Sequence, residues 1–164
     1  MSDPERDRRV RMNLERQTLA RYLPGCEIWG TAAQDFYVDY TFEATEPDGV
    51  FRLRVHAPPQ FPCAIPRMYV MDPKILLMYG GATQLNQLPG LSHAYHTAGT
   101  SPDGRVAICH HKDWNASITL FEVFRKGFTW LKYFSRHLQT GKTIDELMKL
   151  DPPETQETIR ETPV

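Results

Sequence analysis

Hydrophobic and polar positions alternate with a period of two in the first half of the chain. In residues 36–43 every second position is aromatic or aliphatic, and the positions between them are more polar. This period is typical of an antiparallel sheet that has one face in the core and one face in water. Three further segments are rich in residues of the same kind, so we expect four strands in a meander. The segments lie at 27–29, 36–43, 51–56 and 68–70.

A helix signal precedes these strands. Asp3 can cap a helix that has Pro4 at its first position, and Pro24 with Gly25 ends the signal. The apolar residues between these ends make only a rough stripe. We therefore expect a helix over 4–23 that packs through one narrow face.

Two more helix signals follow the strands. Thr119 and Glu122 have the spacing of a capping box, and the apolar residues behind them recur at steps of three and four. This broad aromatic stripe indicates a long helix that packs on the sheet. Thr143 and Glu146 form a second box, which predicts a short helix that ends at Leu150.

The order of these elements predicts one α+β domain over residues 1–150. Residues 74–105 carry several glycines and show no sustained period, so we expect a long loop there. A loop of that length in a compact domain is usually functional or disordered.

From residue 151 onward the chain is rich in proline and acidic residues and has no aromatic residue. We expect a flexible tail over 151–164.

Composition narrows the range of functions. The chain has 164 residues, a net charge of −1 and no block of like charge, which argues against nucleic acid and against a membrane surface as partners. The three cysteines, Cys26, Cys63 and Cys109, cannot all pair. With no signal-peptide pattern, this cysteine usage indicates a reduced, cytoplasmic protein whose thiols are available for chemistry. There is no phosphate-binding glycine loop, and we expect no cofactor.

The segment around Cys109 carries the clearest chemical signal. A glycine turn leads into the apolar run Val106-Ala107-Ile108, and Cys109 follows directly. A thiol at the end of a strand can be both held and exposed, which a nucleophile needs. His110 and His111 come next, and an imidazolium there would lower the pKa of the thiol. The alternative is a buried structural cysteine beside two surface histidines.

Several motifs, taken in order, resemble the ubiquitin-conjugating enzymes. The run at 60–70 is similar to the FPxxxP connection of that family, and the Val-Ala-Ile-Cys run, Trp114 and the helix capped by Thr119 resemble its active-site half. The run Phe128-Thr129-Trp130-Leu131-Lys132-Tyr133-Phe134, followed by the stop at Thr140-Gly141, is similar to the W-L-x-x-Y helix ending in Thr-Gly of the bacterial relatives found in antiphage operons of the CBASS type. The histidine-bearing segment 93–96 also resembles those relatives.

The resemblance implies a UBC-like fold with an N-terminal helix, an antiparallel four-stranded meander sheet and a long C-terminal helix packed on the sheet. It also implies a transferase that forms a thioester on Cys109 and passes the acyl group to an amine. The acyl group would be the C terminus of a ubiquitin-like protein or of a cGAS-like nucleotidyltransferase. No activating domain is visible in the sequence, so a separate activating enzyme is a candidate partner.

Other site residues are expected around the nucleophile. His93 and His96 are candidates for a general base or for positioning, and either can instead fix its loop by hydrogen bonding. His110 is expected to tune the thiolate, and Trp114 is expected to lie under the active-site loop as a hydrophobic pin. The His-Pro-Asn tripeptide of the eukaryotic members is absent, which leaves Asn115 as a candidate oxyanion donor.

The spacing between Gly104 and the cysteine leaves two hypotheses open. Counted from Gly104, the family's cysteine position falls at Ala107, two residues before Cys109. In the first hypothesis the turn is longer and Cys109 is the nucleophile. In the second the site has lost its nucleophile, and the chain is an adaptor that binds the same partner without catalysis.

Zinc binding is a further alternative. His93, His96, Cys109, His110 and His111 are acceptable ligand types, but their spacing matches no closed structural zinc site. From the sequence we therefore assign no metal.

Overall fold

The computed structural model describes residues 2–31 and 33–151. The expected tail over 151–164 therefore lies outside the described residues, apart from Asp151. Within the described residues the chain forms three α-helices and seven strands, with one short 3₁₀ helix between β4 and β5. In chain order they are α1 Pro4–Tyr22, β1 Glu27–Gly30, β2 Phe36–Thr45, β3 Asp48–Ala57, β4 Arg67–Asp72, the 3₁₀ helix Leu85–Gln87, β5 Leu91–Ser92, β6 Thr97–Thr100, β7 Val106–Ile108, α2 Leu120–Thr140 and α3 Ile144–Leu150.

Helix α1 begins where the sequence predicts. The carboxylate of Asp3 accepts a hydrogen bond from the backbone N–H of Glu5 at 3.1 Å, which satisfies a donor that the first helical turn leaves open. The buried face is narrow and consists of Met12, Glu15 and Leu19. The one carboxylate on this face is unusual for a buried position and contributes to the functional site described below.

All neighbouring strands in the sheet are antiparallel. The strand order is β1-β2-β3-β4-β7-β6-β5, so the first four strands form a meander and the last three extend the sheet beyond β4 in reverse order. Strand β7 joins the two parts, because it pairs with β4 through Tyr69 with Ala107 and through Met68 with Ile108. On its other side β7 pairs with β6.

The expected fold, a UBC-like arrangement with a four-stranded meander and a closing C-terminal helix, is wrong. The sheet has seven strands, and the described chain ends with a third helix, α3, behind the long helix α2. Strand β7, with three buried residues, is the strand expected before Cys109, but it was not counted in the sheet; β5, with two residues, and β6, with four, lie in the segment 74–105 that was expected to be a loop. A period of two is not measurable over such lengths, since these strands are defined by their pairing partners rather than by their own pattern.

Helix α2 packs closely on the sheet through a residue without a side chain. The ring of Phe128 meets Phe42 edge to face with a centroid distance of 5.0 Å. One residue earlier, a Cβ atom on Gly127 would lie 2.6 Å from Sδ of Met68 and 2.9 Å from Cδ1 of Leu53. These distances are shorter than van der Waals contact, so glycine at this position sets how near α2 comes to the sheet.

Both predicted capping boxes are confirmed. The hydroxyl of Thr119 accepts a hydrogen bond from the backbone N–H of Glu122. In return, the side chain of Glu122 accepts one from the backbone N–H of Thr119, and Thr143 with Glu146 repeats this pattern.

No helix within the described ranges has both the length and the apolar character needed to cross a membrane.

Replacing Gly127 by valine is expected to destabilise the fold. The added carbons would overlap Met68 and Leu53, and overpacking of this kind costs about 1–3 kcal/mol. Urea denaturation measures the free energy of unfolding, and Gln139→Val, at an exposed position of the same helix, is the control with a change of about 0.5 kcal/mol or less. An unfolding midpoint for Gly127→Val equal to that of the control would contradict the close packing.

Candidate active site

Cys109 lies directly after β7, where the chain leaves the sheet. Its backbone N–H donates a hydrogen bond to the carbonyl oxygen of His96 at 2.9 Å, and its side chain is exposed. Ala107 lies two residues earlier, is paired with Tyr69 inside the sheet and is only 7% exposed. Of the two positions that the register leaves open, the structure presents the side chain of 109 to solvent and buries that of 107.

Two cavities meet at Cys109. The smaller one, of about 430 Å³, is lined by Tyr69 and Ala107 among others. The larger one, of about 790 Å³, is lined by His93 and His96 from the β5–β6 segment, together with residues of α2. Cys109 lines both cavities, so a group bound in either one can approach its sulfur.

The thiol of Cys109 is partly shielded from water. This partial burial raises the pKa of Cys109, because desolvation disfavours the thiolate. Burial likewise lowers the pKa of His110, so its imidazole stays neutral near neutral pH. A neutral imidazole cannot stabilise an adjacent thiolate by its charge, which was the expected tuning role of His110.

His110 instead anchors the chain after Cys109. Its Nε2 lies 2.6 Å from the carbonyl oxygen of Pro66, a pure acceptor, so Nε2 carries the proton and donates. Nδ1 of the neutral ring is then an acceptor, and Nδ1 of His111 donates to it at 2.8 Å. This network assigns the tautomers of both rings and fixes the segment to the loop before β4.

Trp114 holds the same two loops together. Its indole Nε1–H donates to the carbonyl oxygen of Pro62 at 2.9 Å, and its ring lies 6.2 Å from that of Phe61, centroid to centroid. These contacts are the ones expected of a pin under the active-site loop. The exposed Cys63 belongs to this proline-rich loop and lines neither of the two cavities.

Asn115 takes part in a local turn. Its side-chain oxygen accepts hydrogen bonds from the backbone N–H of Ser117 at 2.9 Å and from the hydroxyl of the same residue. Asn115 is not among the described residues that line either cavity. An oxyanion role for Asn115 therefore stays a prediction without a supporting contact.

His93 and His96 converge on an acid that sequence reasoning missed. Nε2 of His96 lies 3.0 Å from Oδ1 of Asp145, and Nε2 of His93 lies 3.3 Å from the same oxygen. In the sequence Asp145 looks like a favourable acid in the first turn of α3. In the sequence, Asp145 is marked only by its position between Thr143 and Glu146 in the predicted capping box of α3, the helix that follows α2.

The histidine loop and α3 are joined by further contacts. The backbone N–H of Asp145 donates to the carbonyl oxygen of Ala94 at 2.9 Å. His96 has φ of 50°, a left-handed conformation that is uncommon for a residue with a side chain. A hydrogen bond from Lys149, and then the two histidines, lowers the pKa of Asp145, which stays a carboxylate.

Helix α1 supports the site from behind. The buried carboxylate of Glu15 accepts from the backbone N–H of Leu120, the first residue of α2, at 2.9 Å and from Nε of Arg11 at 2.8 Å. Arg11 also donates to the carbonyl oxygen of Ile118 at 2.8 Å. Desolvation raises the pKa of Glu15 in spite of these partners. This pair connects α1 to the loop between Trp114 and α2.

Comparison with known proteins gives no match: no family model, no curated protein and no solved structure is similar to this chain.

Alkylation of Cys109 is expected to be slow at neutral pH and still accelerating above pH of about 8.5, the ordinary pKa of a free thiol. The reason is that burial raises the pKa of Cys109, so the reactive thiolate is scarce until the pH exceeds that raised value. Peptide mass spectrometry after timed exposure to iodoacetamide measures the rate at this residue. His111→Gln is the matched control and should leave the pH profile unchanged. A half-maximal rate near pH 7 that shifts in this variant would show histidine activation instead.

Proposed function

We propose that this protein is a cysteine acyl transferase that acts like the ubiquitin-conjugating enzymes, in a bacterial antiphage system of the CBASS type. Its substrate is the activated C terminus of a ubiquitin-like protein or of a cGAS-like nucleotidyltransferase. The observation that carries the proposal is the exposed Cys109 at the meeting point of two cavities. A transferase needs an acyl donor and an amine acceptor to reach one sulfur in turn, and this arrangement supports that.

The chemistry takes place in two displacements at one carbonyl carbon. The thiol of Cys109 gives up its proton to solvent as its sulfur attacks the activated carboxyl carbon, a C–S bond forms, and the activating group leaves with its electron pair. An acceptor amine then attacks the thioester carbonyl, the C–N bond forms, the C–S bond breaks with its electron pair going to sulfur, and the amine proton passes through solvent to the released thiolate. A separate activating enzyme supplies the activated carboxyl group. We place this reaction in the reducing cytoplasm, where the thiol of Cys109 is maintained.

The surrounding residues act in this proposal by positioning. Trp114 and His110 hold the segment that follows Cys109 through backbone carbonyl oxygens. His93 and His96 were candidates for the general base, but the Nε2 atom of each is directed at Asp145. The geometry therefore supports their positioning role more than proton abstraction.

A second function, an adaptor without catalysis, is favoured by one specific observation. The raised pKa of Cys109 leaves it without the activation that many nucleophilic cysteines have. An adaptor would bind the same protein tail in the two cavities and form no covalent bond.

The decisive experiment is the intact mass of the full chain, coexpressed with its genomic neighbours and purified without reductant. We expect a mass increase equal to a partner protein minus water, which dithiothreitol removes. Cys109→Ala should abolish the adduct, and Cys109→Ser should give an ester that resists dithiothreitol. Cys63→Ala, which removes another exposed thiol, is the matched control and should retain the adduct.

Two outcomes would contradict a transferase that acts through Cys109. Absence of the adduct while a partner still copurifies with wild type and with Cys109→Ala alike would favour the adaptor. An adduct lost in Cys63→Ala but kept in Cys109→Ala would place the nucleophile in the proline-rich loop.

A further inference from the structure

We propose that His93, His96 and Asp145 form a binding site for a divalent transition-metal ion of the zinc class, with an open coordination position toward the large cavity at Cys109. Each of the three residues offers one potential ligand atom, and these atoms all lie within 4.8 Å of one another. Nε2 of each histidine faces Oδ1 of Asp145. This site is independent of the acyl-transfer proposal and does not require Cys109 to react.

The separations fit a shared ion. Ligands that lie about 2.0–2.1 Å from a tetrahedral Zn²⁺ are roughly 3.3 Å apart from each other. The Nε2–Oδ1 distances of 3.3 Å for His93 and 3.0 Å for His96 are close to this value. Hydrogen bonding alone explains less well why His93 turns toward Asp145. The side chain of His93 is 80% exposed, and an exposed ion pair contributes only about 0–1 kcal/mol to stability.

Contacts outside the ligand set orient it. The second oxygen of Asp145, Oδ2, accepts from Nζ of Lys149 at 2.8 Å, which leaves Oδ1 directed at the histidines. The histidine loop is fixed by the indole of Trp130, which donates to the carbonyl oxygen of Tyr95 at 2.9 Å. Metal-ligating carboxylates are typically hydrogen-bonded in this way, and such outer contacts raise metal affinity.

A buried polar group lies beside the same cavity. Thr97 is 2% exposed, lines the large cavity with His93 and His96, and its hydroxyl has no hydrogen-bond partner among the described residues. A buried hydroxyl without a partner is costly. Three protein ligands would leave a fourth position on zinc, which a water can occupy.

The ligand types select the ion. Two imidazoles and one carboxylate suit Zn²⁺ and similar transition metals, whereas Mg²⁺ and Ca²⁺ prefer sites made of oxygen alone. The set differs from the zinc alternative that the sequence raised, because Asp145 replaces Cys109, His110 and His111 as the partner of the two histidines.

Calorimetric titration of Zn²⁺ into the reduced full chain tests the site. We expect one equivalent to bind, with no measurable binding of Mg²⁺. His93→Ala and Asp145→Asn should each weaken binding by more than about 100-fold, which exceeds the effect of losing an outer contact. His93 is so exposed that its replacement leaves the fold intact, and circular dichroism checks the same for Asp145→Asn.

Two control variants separate this site from other metal-binding groups. His56→Ala removes a histidine whose Nε2 pairs with Asp35 at 2.7 Å elsewhere on the sheet, and it should bind Zn²⁺ as wild type does. Cys109→Ser should also retain binding. The proposal is overturned if Zn²⁺ does not bind, if His93→Ala and Asp145→Asn bind it as well as His56→Ala, or if Cys109→Ser alone abolishes binding.

Discussion

The pairing of β7 with β4 is the constraint on which the rest of the structure depends. Two residue pairs connect these strands, yet they join the meander of the first four strands to the short strands that follow the long loop. Through β7 and β6, this contact is the link within the sheet between the histidine loop and the proline-rich loop before β4. Because β7 is buried and only three residues long, the chain must emerge from the sheet at position 109.

Backbone carbonyl oxygens fix the surroundings of the thiol once β7 is in place. Three donors around the site each reach a backbone carbonyl oxygen, one in the histidine loop and two in the proline-rich loop, and none of the three bonds depends on a charge. Their geometry is therefore insensitive to salt and to moderate changes of pH, unlike a site built from exposed ion pairs. The pairs are Cys109 with His96, His110 with Pro66 and Trp114 with Pro62.

Local signals made the helices predictable and left two of the seven strands undetected. The caps at Thr119 and Thr143 act within four residues, so the sequence alone reveals them. Strand β7 was expected before Cys109 without a place in the sheet, and β5 and β6 exist through contacts between distant residues, which no pattern within two to four residues encodes. For the same reason Cys109 could be singled out from its sequence, whereas Asp145 could not, since its two histidines lie about 50 residues earlier in the chain.

The protonated state of Cys109 has a consequence for the durability of the protein. Oxidation by peroxide and attack by stray electrophiles both begin at the thiolate, so a thiol that keeps its proton is a slow target for either. The partial burial that raises the pKa of Cys109 therefore slows both reactions near neutral pH. In the proposed acyl transfer, a bound donor would have to supply the activation, which makes the correct partner the condition for reaction.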